Sequence, residues 1–65
     1  MTLKENKPKL KDIGKFVLHV PSSAKGDVNH KDCREGTISS WNFRKVFVIF
    51  DDAPVACKYS ELHWY

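Results

Sequence analysis

The chain has 65 residues, with eleven Lys and Arg against eight Asp and Glu, a net charge of +3, two cysteines and 42% hydrophobic residues. That length allows one domain, near the lower limit at which an apolar core holds a fold without disulfides or metals, and leaves little room for a deep, water-excluding active site. No run of about eighteen apolar residues is present, and the first residues lack the apolar stretch of a signal peptide. The expected compartment is therefore the cytosol, with Cys33 and Cys57 reduced and no membrane association.

The charge is unevenly divided. Residues 1–15 carry Lys4, Lys7, Lys9, Lys11 and Lys15 against Glu5 and Asp12, while the remainder balances. A protein that tracks phosphates draws most of its non-specific affinity from clustered positive charge, so any such footprint would lie mainly at the N-terminus.

Thr2 to Lys11 is Lys-rich, contains Pro8, and has only Leu3 and Leu10 as large apolar residues, without helical spacing. Residues 1–12 read as a flexible Lys-rich arm, either solubilising or ligand-binding, and residues 13–65 as the folded domain. Gly14 opens a first strand in which Phe16, Leu18 and Val20 share one face and Val17 and His19 the other, and Pro21 ends it. Ser22 to Arg34 is a long polar connection, of the kind that is functional or mobile in a compact domain.

The stretch from Glu35 to Asp52 predicts a hairpin. Gly36 to Trp41 forms one strand with Ile38 inward, Asn42-Phe43-Arg44-Lys45 the connection, and Val46 to Phe50 the second strand, since these residues are all β-branched or aromatic and too few for an ordinary helix. Asp51-Asp52-Ala53-Pro54 turns the chain into a further strand, Val55 to Lys58, with Val55 and Cys57 inward. Tyr59 to Leu62 predicts a single helical or 3₁₀ turn, and His63-Trp64-Tyr65 a last strand. The fold class is all-β: a small five-stranded SH3-like barrel with one short helical turn before the last strand.

The residues that carry this pattern are G-K-F-V-L-H-V-P from Gly14, G-D-V-N-H-K-D-C-R-E-G-T-I-S-S-W-N from Gly26, K-V-F-V-I-F-D-D from Lys45 and A-C-K-Y-S-E-L from Ala56. In that order and spacing they resemble small SH3-like-barrel proteins encoded by bacteriophages and prophages, over about Gly14 to Leu62. The resemblance implies an accessory protein that acts by binding in a bacterial cytoplasm, and it brings no catalytic residues. Two features depart from the pattern: Ile49 stands where a polar, outward residue is expected, and the sequence ends in Trp64-Tyr65.

Chemistry-bearing residues are sparse. His30 and Cys33 have the spacing of half a zinc site that Cys57 and His63 would complete, but the second pair lacks the tight spacing of zinc ribbons, so neither metal nor cofactor is expected. Cys33 is flanked by Asp32 and Glu35, which oppose the low thiol pKa a nucleophile needs, and Asp51-Asp52 reads as a turn. There is no Gly-rich phosphate loop and no hydrolase or metalloprotease motif, so no enzymatic activity is expected. The surplus is apolar. If Val46, Val48 and Phe50 face the core, alternation sends Phe47 and Ile49 outward. Two functions follow, the first preferred because the charge of residues 16–65 cancels. One is a protein-binding or self-associating module anchored by Trp41, Phe43, Arg44, Phe47 and Ile49, because aromatics concentrate binding energy. The other is a nucleic-acid-binding barrel of KOW or Tudor type, in which hairpin aromatics stack on bases while Lys4, Lys7, Lys9, Lys11, Arg44 and Lys45 hold phosphates.

Overall fold

The run of β-branched and aromatic residues after Arg44 forms an interior strand of a single antiparallel sheet. The computed structural model describes residues 1–65. Its strands are β1 (Phe16–His19), β2 (Arg34–Trp41), β3 (Lys45–Ile49), β4 (Pro54–Lys58) and β5 (Leu62–Trp64), in the spatial order β4-β3-β2-β1-β5. The edges are β4 and β5, and no ladder joins them. Three 3₁₀ turns complete the regular structure: Leu10–Asp12, Ser22–Ala24 and, between β4 and β5 as expected, Tyr59–Glu61. The first was not foreseen in the Lys-rich segment. No helix is long and apolar enough to cross a membrane.

Register decides which side chains meet. Ile38 pairs with Val48, Trp41 with Val46, and Val46 with Cys57, placing these residues on one face. Between Ile38 and Ser40 the β2–β3 register shifts, and such an extra residue bends the strand and increases its twist. Alternation puts Val17 on that inner face through its partner Gly36, and Leu62 through its partner His19. Val17, Ile38, Val46, Val48, Cys57 and Leu62, with Leu3, form the buried cluster, and Trp41, Phe50, Tyr59 and Trp64 pack against it. On β1 the core residue is Val17, whereas Phe16 is exposed and Leu18 only half-buried.

Two expectations are corrected by this packing. Val55 shares the face of Cys57, yet it is 47% exposed, because β4 is an edge and nothing closes over its first half. The larger correction concerns residues 1–12, expected as a flexible arm. Leu3 is fully buried, its amide donates to the Leu62 carbonyl at 3.0 Å, the Trp64 amide donates to the Met1 carbonyl at 3.0 Å, and Pro8 and Asp12 are buried as well. One leucine side chain with an apolar hole to fill outweighs the solubility of the lysines around it, since burying it is worth about 1.5–3 kcal/mol.

Phe50 packs against the core but stays half-buried, its ring 5.9 Å from that of His19 and 4.4 Å from the Arg34 guanidinium. Close packing here depends on Gly36. A Cβ at that position would lie 2.6 Å from Val48 Cγ1 and 2.8 Å from the Ile49 carbonyl oxygen, and a backbone atom cannot swing aside. The missing side chain lets the end of β3 approach β2 as the sheet curls.

Two stability outcomes follow. Leu3→Ala is expected to cost about 2–5 kcal/mol in urea denaturation, the range for a buried leucine, and an unchanged midpoint would place the N-terminal segment outside the cooperative unit. Gly36→Ala is expected to lower the midpoint clearly, whereas Ser40→Ala on the exposed side of the same strand moves it little; equal effects would contradict the close approach.

Candidate functional site: a basic, aromatic cleft

Docking of the N-terminal segment beside β5 creates the principal recess of the molecule, about 530 Å³. Lys7, Lys9, Lys11 and Lys15 line it together with Phe16, Trp64 and Tyr65, and Asn6 and Asp12 complete the lining. The segment is held in shape by local bonds. Glu5 and Asn6 donate their amides to the Thr2 carbonyl, and the Glu5 carboxylate accepts the Thr2 amide at 3.1 Å. The Thr2 amide holds the Glu5 carboxyl below its ordinary value.

Asp12 is the organising acid of the cleft. Its carboxylate accepts the Lys9 amide at 2.8 Å and pairs with the Lys15 ammonium at 3.0 Å. These two contacts, the amide first, hold its pKa below the ordinary 3.8. Asp12 pairs with Lys15 and also attracts Lys11 through space, while Lys9 and Lys11 take part in none of the four ion pairs of the molecule. Trp64 is fixed as a wall, its indole N–H donating to the Asn6 carbonyl at 2.8 Å. Phe16 and Tyr65 are 57% and 73% exposed.

The cleft is tied to the hairpin through one residue. Lys7 places its ammonium 5.3 Å from the centre of the Tyr59 ring, and the Tyr59 hydroxyl donates to the Asn42 carbonyl. Burial pushes the Tyr59 phenol up. Asn42 in turn shapes the β2–β3 connection, its side-chain oxygen accepting the amides of Arg44 at 2.8 Å and Lys45 at 2.9 Å, as an Asn-headed turn does.

The residues singled out on the hairpin are dispersed. Phe43 is 83% exposed at the tip with the Arg44 guanidinium 5.3 Å from its ring. Trp41 is half-buried against the core, with Leu10 and Ile13 across a shallow groove. Phe47 and Ile49 lie on the face opposite Val46 and Val48, flanked by Ser40 and Ala56 and by Thr37 and Pro54 respectively, and both are half-buried. Lys4, Arg44 and Lys45 do not line the cleft. Lys15, Phe16, Trp64 and Tyr65 do, and sequence reasoning did not group them. The usable signal was the density of lysine at positions 7, 9, 11 and 15, next to Phe16.

The four residues weighed for zinc are apart in role. Cys33 donates its thiol to the Asp27 carbonyl, His30 accepts the Asp32 amide at 3.0 Å, Cys57 is buried in β4, and His63 lies on β5 beside Thr2. No three His, Cys, Asp or Glu side chains converge on one point. Burial pushes the Cys57 thiol up, which makes it unreactive. A second polar cluster, His19 with Glu61 at 3.1 Å and Arg34 with Asp51 at 3.1 Å, borders the Phe50 ring and ties β1 and β2 to neighbouring turns. Comparison with protein-family models, curated proteins and solved structures finds no match to this chain.

The lowered pKa of Asp12 sets the sign of a pH effect. A carboxyl with a depressed folded pKa contributes stability that is full above its unfolded value and is lost as pH falls through the folded one. Thermal unfolding followed downward from neutrality should therefore show a fall in Tm beginning near pH 4, to which Glu5 contributes with the same sign. In Asp12→Asn the Tm should start lower and fall less on acidification; parallel curves would show that Asp12 does not hold the segment.

Proposed function

We propose that this chain is a small non-enzymatic binding module of the SH3-like-barrel type whose ligand is nucleic acid, held in the cleft between the N-terminal segment and β5. The observation that carries this reading is the gathering of Lys7, Lys9, Lys11 and Lys15 against three aromatic side chains, with Asp12 as the single acid and already paired to Lys15. Clustered lysines attract a polyanion by releasing its counterions, and adjoining aromatics are the partners of bases. The SH3-like assignment is supported by the strand order, in which β5 follows a single 3₁₀ turn and returns to β1. The resemblance to phage and prophage proteins supports an accessory role in a bacterial cytoplasm.

The test is a fluorescence-polarisation titration of labelled DNA and RNA at low and moderate salt. Micromolar binding that weakens steeply with salt is expected, and Lys9→Glu or Lys11→Glu should reduce the slope of log K against log salt by about 0.7–0.9 for each phosphate that is no longer neutralised. Absence of binding at low salt would end this reading.

A second reading rests on the sheet register. Phe47 and Ile49 occupy the outer face and Phe43 stands exposed at the hairpin tip beside Arg44, which suits a protein partner or a second copy of the chain anchored there, while Trp41 lies on the opposite face against the core. Ile49→Lys should then leave circular dichroism intact while abolishing self-association in sedimentation. An unfolded Ile49→Lys would make the position part of the core, since an unpaired buried charge costs several kcal/mol.

A further inference from the structure

The lining of the cleft is of two unlike kinds, lysine and aromatic. In the β1–β5 ladder Val17 faces Trp64 and Leu18 faces His63. Phe16 precedes Val17 and Tyr65 follows Trp64, so both stand at the same end of that ladder. Both are exposed, at 57% and 73%, and both line the recess that the four lysines also line. The Glu35 carboxylate pushes the Tyr65 phenol up.

We propose that the cleft takes a single-stranded nucleic acid, with unpaired bases lying against the exposed Phe16 and Tyr65 and the flanking phosphates held by Lys9 and Lys11. This rests on the reading of the cleft as a nucleic-acid site and adds the form of the ligand. A base within a duplex is already stacked on both faces, so exposed rings gain nothing from it, whereas a splayed base offers a free face to an aromatic side chain. Duplex readout instead calls for a helix or a two-stranded ribbon inserted into a groove about 12 Å wide. The helical segments here are turns of three residues, and the β2–β3 ribbon is tied back at Asn42 by the Tyr59 hydroxyl. A recess of about 530 Å³ admits one nucleotide, and a duplex could only lie across its mouth. Lys9 and Lys11 are the phosphate ligands because Lys15 is paired with Asp12 and Lys7 lies over the Tyr59 ring.

The experiment uses the whole chain and one oligonucleotide sequence as single-stranded DNA, single-stranded RNA, duplex DNA and a single strand of abasic sites, titrated by polarisation at a fixed low salt. Single strands should bind more tightly than duplex, and abasic strands should lose that advantage. Phe16→Ala and Tyr65→Ala should each weaken single-strand binding by roughly 5- to 150-fold while leaving duplex binding unchanged, and Phe16→Trp should restore it. Both positions are exposed, so urea midpoints should stay near that of the parent; should Phe16→Ala unfold, Tyr65→Ala and the abasic strand carry the test. Equal affinity for single strand and duplex, or indifference to both alanine variants, would overturn the proposal while leaving the nucleic-acid reading in place. No binding to any form at low salt would overturn both.

Discussion

The arrangement of the molecule depends on one apolar contact, the insertion of Leu3 among Val17, Ile38, Val46, Val48, Cys57 and Leu62. So small a sheet has a core of few side chains, and a leucine supplied from outside the strands is a large fraction of it. Its burial fixes the backbone on either side. Met1 and Leu3 bond to β5, covering an edge whose amides and carbonyls would otherwise face solvent. The following residues must then return past β5 to reach β1, and the lysines they carry are brought against Phe16, Trp64 and Tyr65. Charge alone would have kept that segment in water.

Placing four ammonium groups around one recess has an electrostatic cost. Asp12 offsets part of it at Lys15, and the Tyr59 ring accommodates Lys7. Lys9 and Lys11 are left facing a shared space. A bound anion would relieve that repulsion, so the native state and the liganded state are coupled: what binds the cleft also stabilises the fold that forms it. The hairpin is joined to this system through Tyr59 and Asn42, which places the connection between β2 and β3 within reach of any change at Lys7.

All five strands were legible in the sequence, each for a local reason: β-branched and aromatic runs at β2 and β3, Pro21 and Pro54 as boundaries, and a Tyr-Ser-Glu turn too short to be anything but a single coil. The register of β3 was legible too, since a two-residue period assigns Val46 and Val48 to one face and Phe47 and Ile49 to the other. What periodicity lacks is information about cover. Val55 is on the correct face and still exposed, because whether anything lies above a strand is a tertiary fact. The N-terminal segment was illegible for a related reason: composition averages over a window, and one leucine among lysines vanishes in the average although it is decisive in the core. The cleft inherits that difficulty, as its lining comes from residues 6–16 and 64–65, distant in sequence.

The ladder between β1 and β5, and the backbone bond from Leu3 to Leu62, join residues near opposite limits of the sequence. Contacts of this span must meet the entropy of closing a long loop before they return any stability. The β2–β3–β4 meander needs only short connections and can form locally, but it exposes the apolar face that Leu3 and Leu62 cover. During synthesis on a ribosome, the core of this domain therefore stays unfinished until residue 62 has left the exit tunnel, and the three-stranded meander is the species that has to be kept from sticking to others in the meantime.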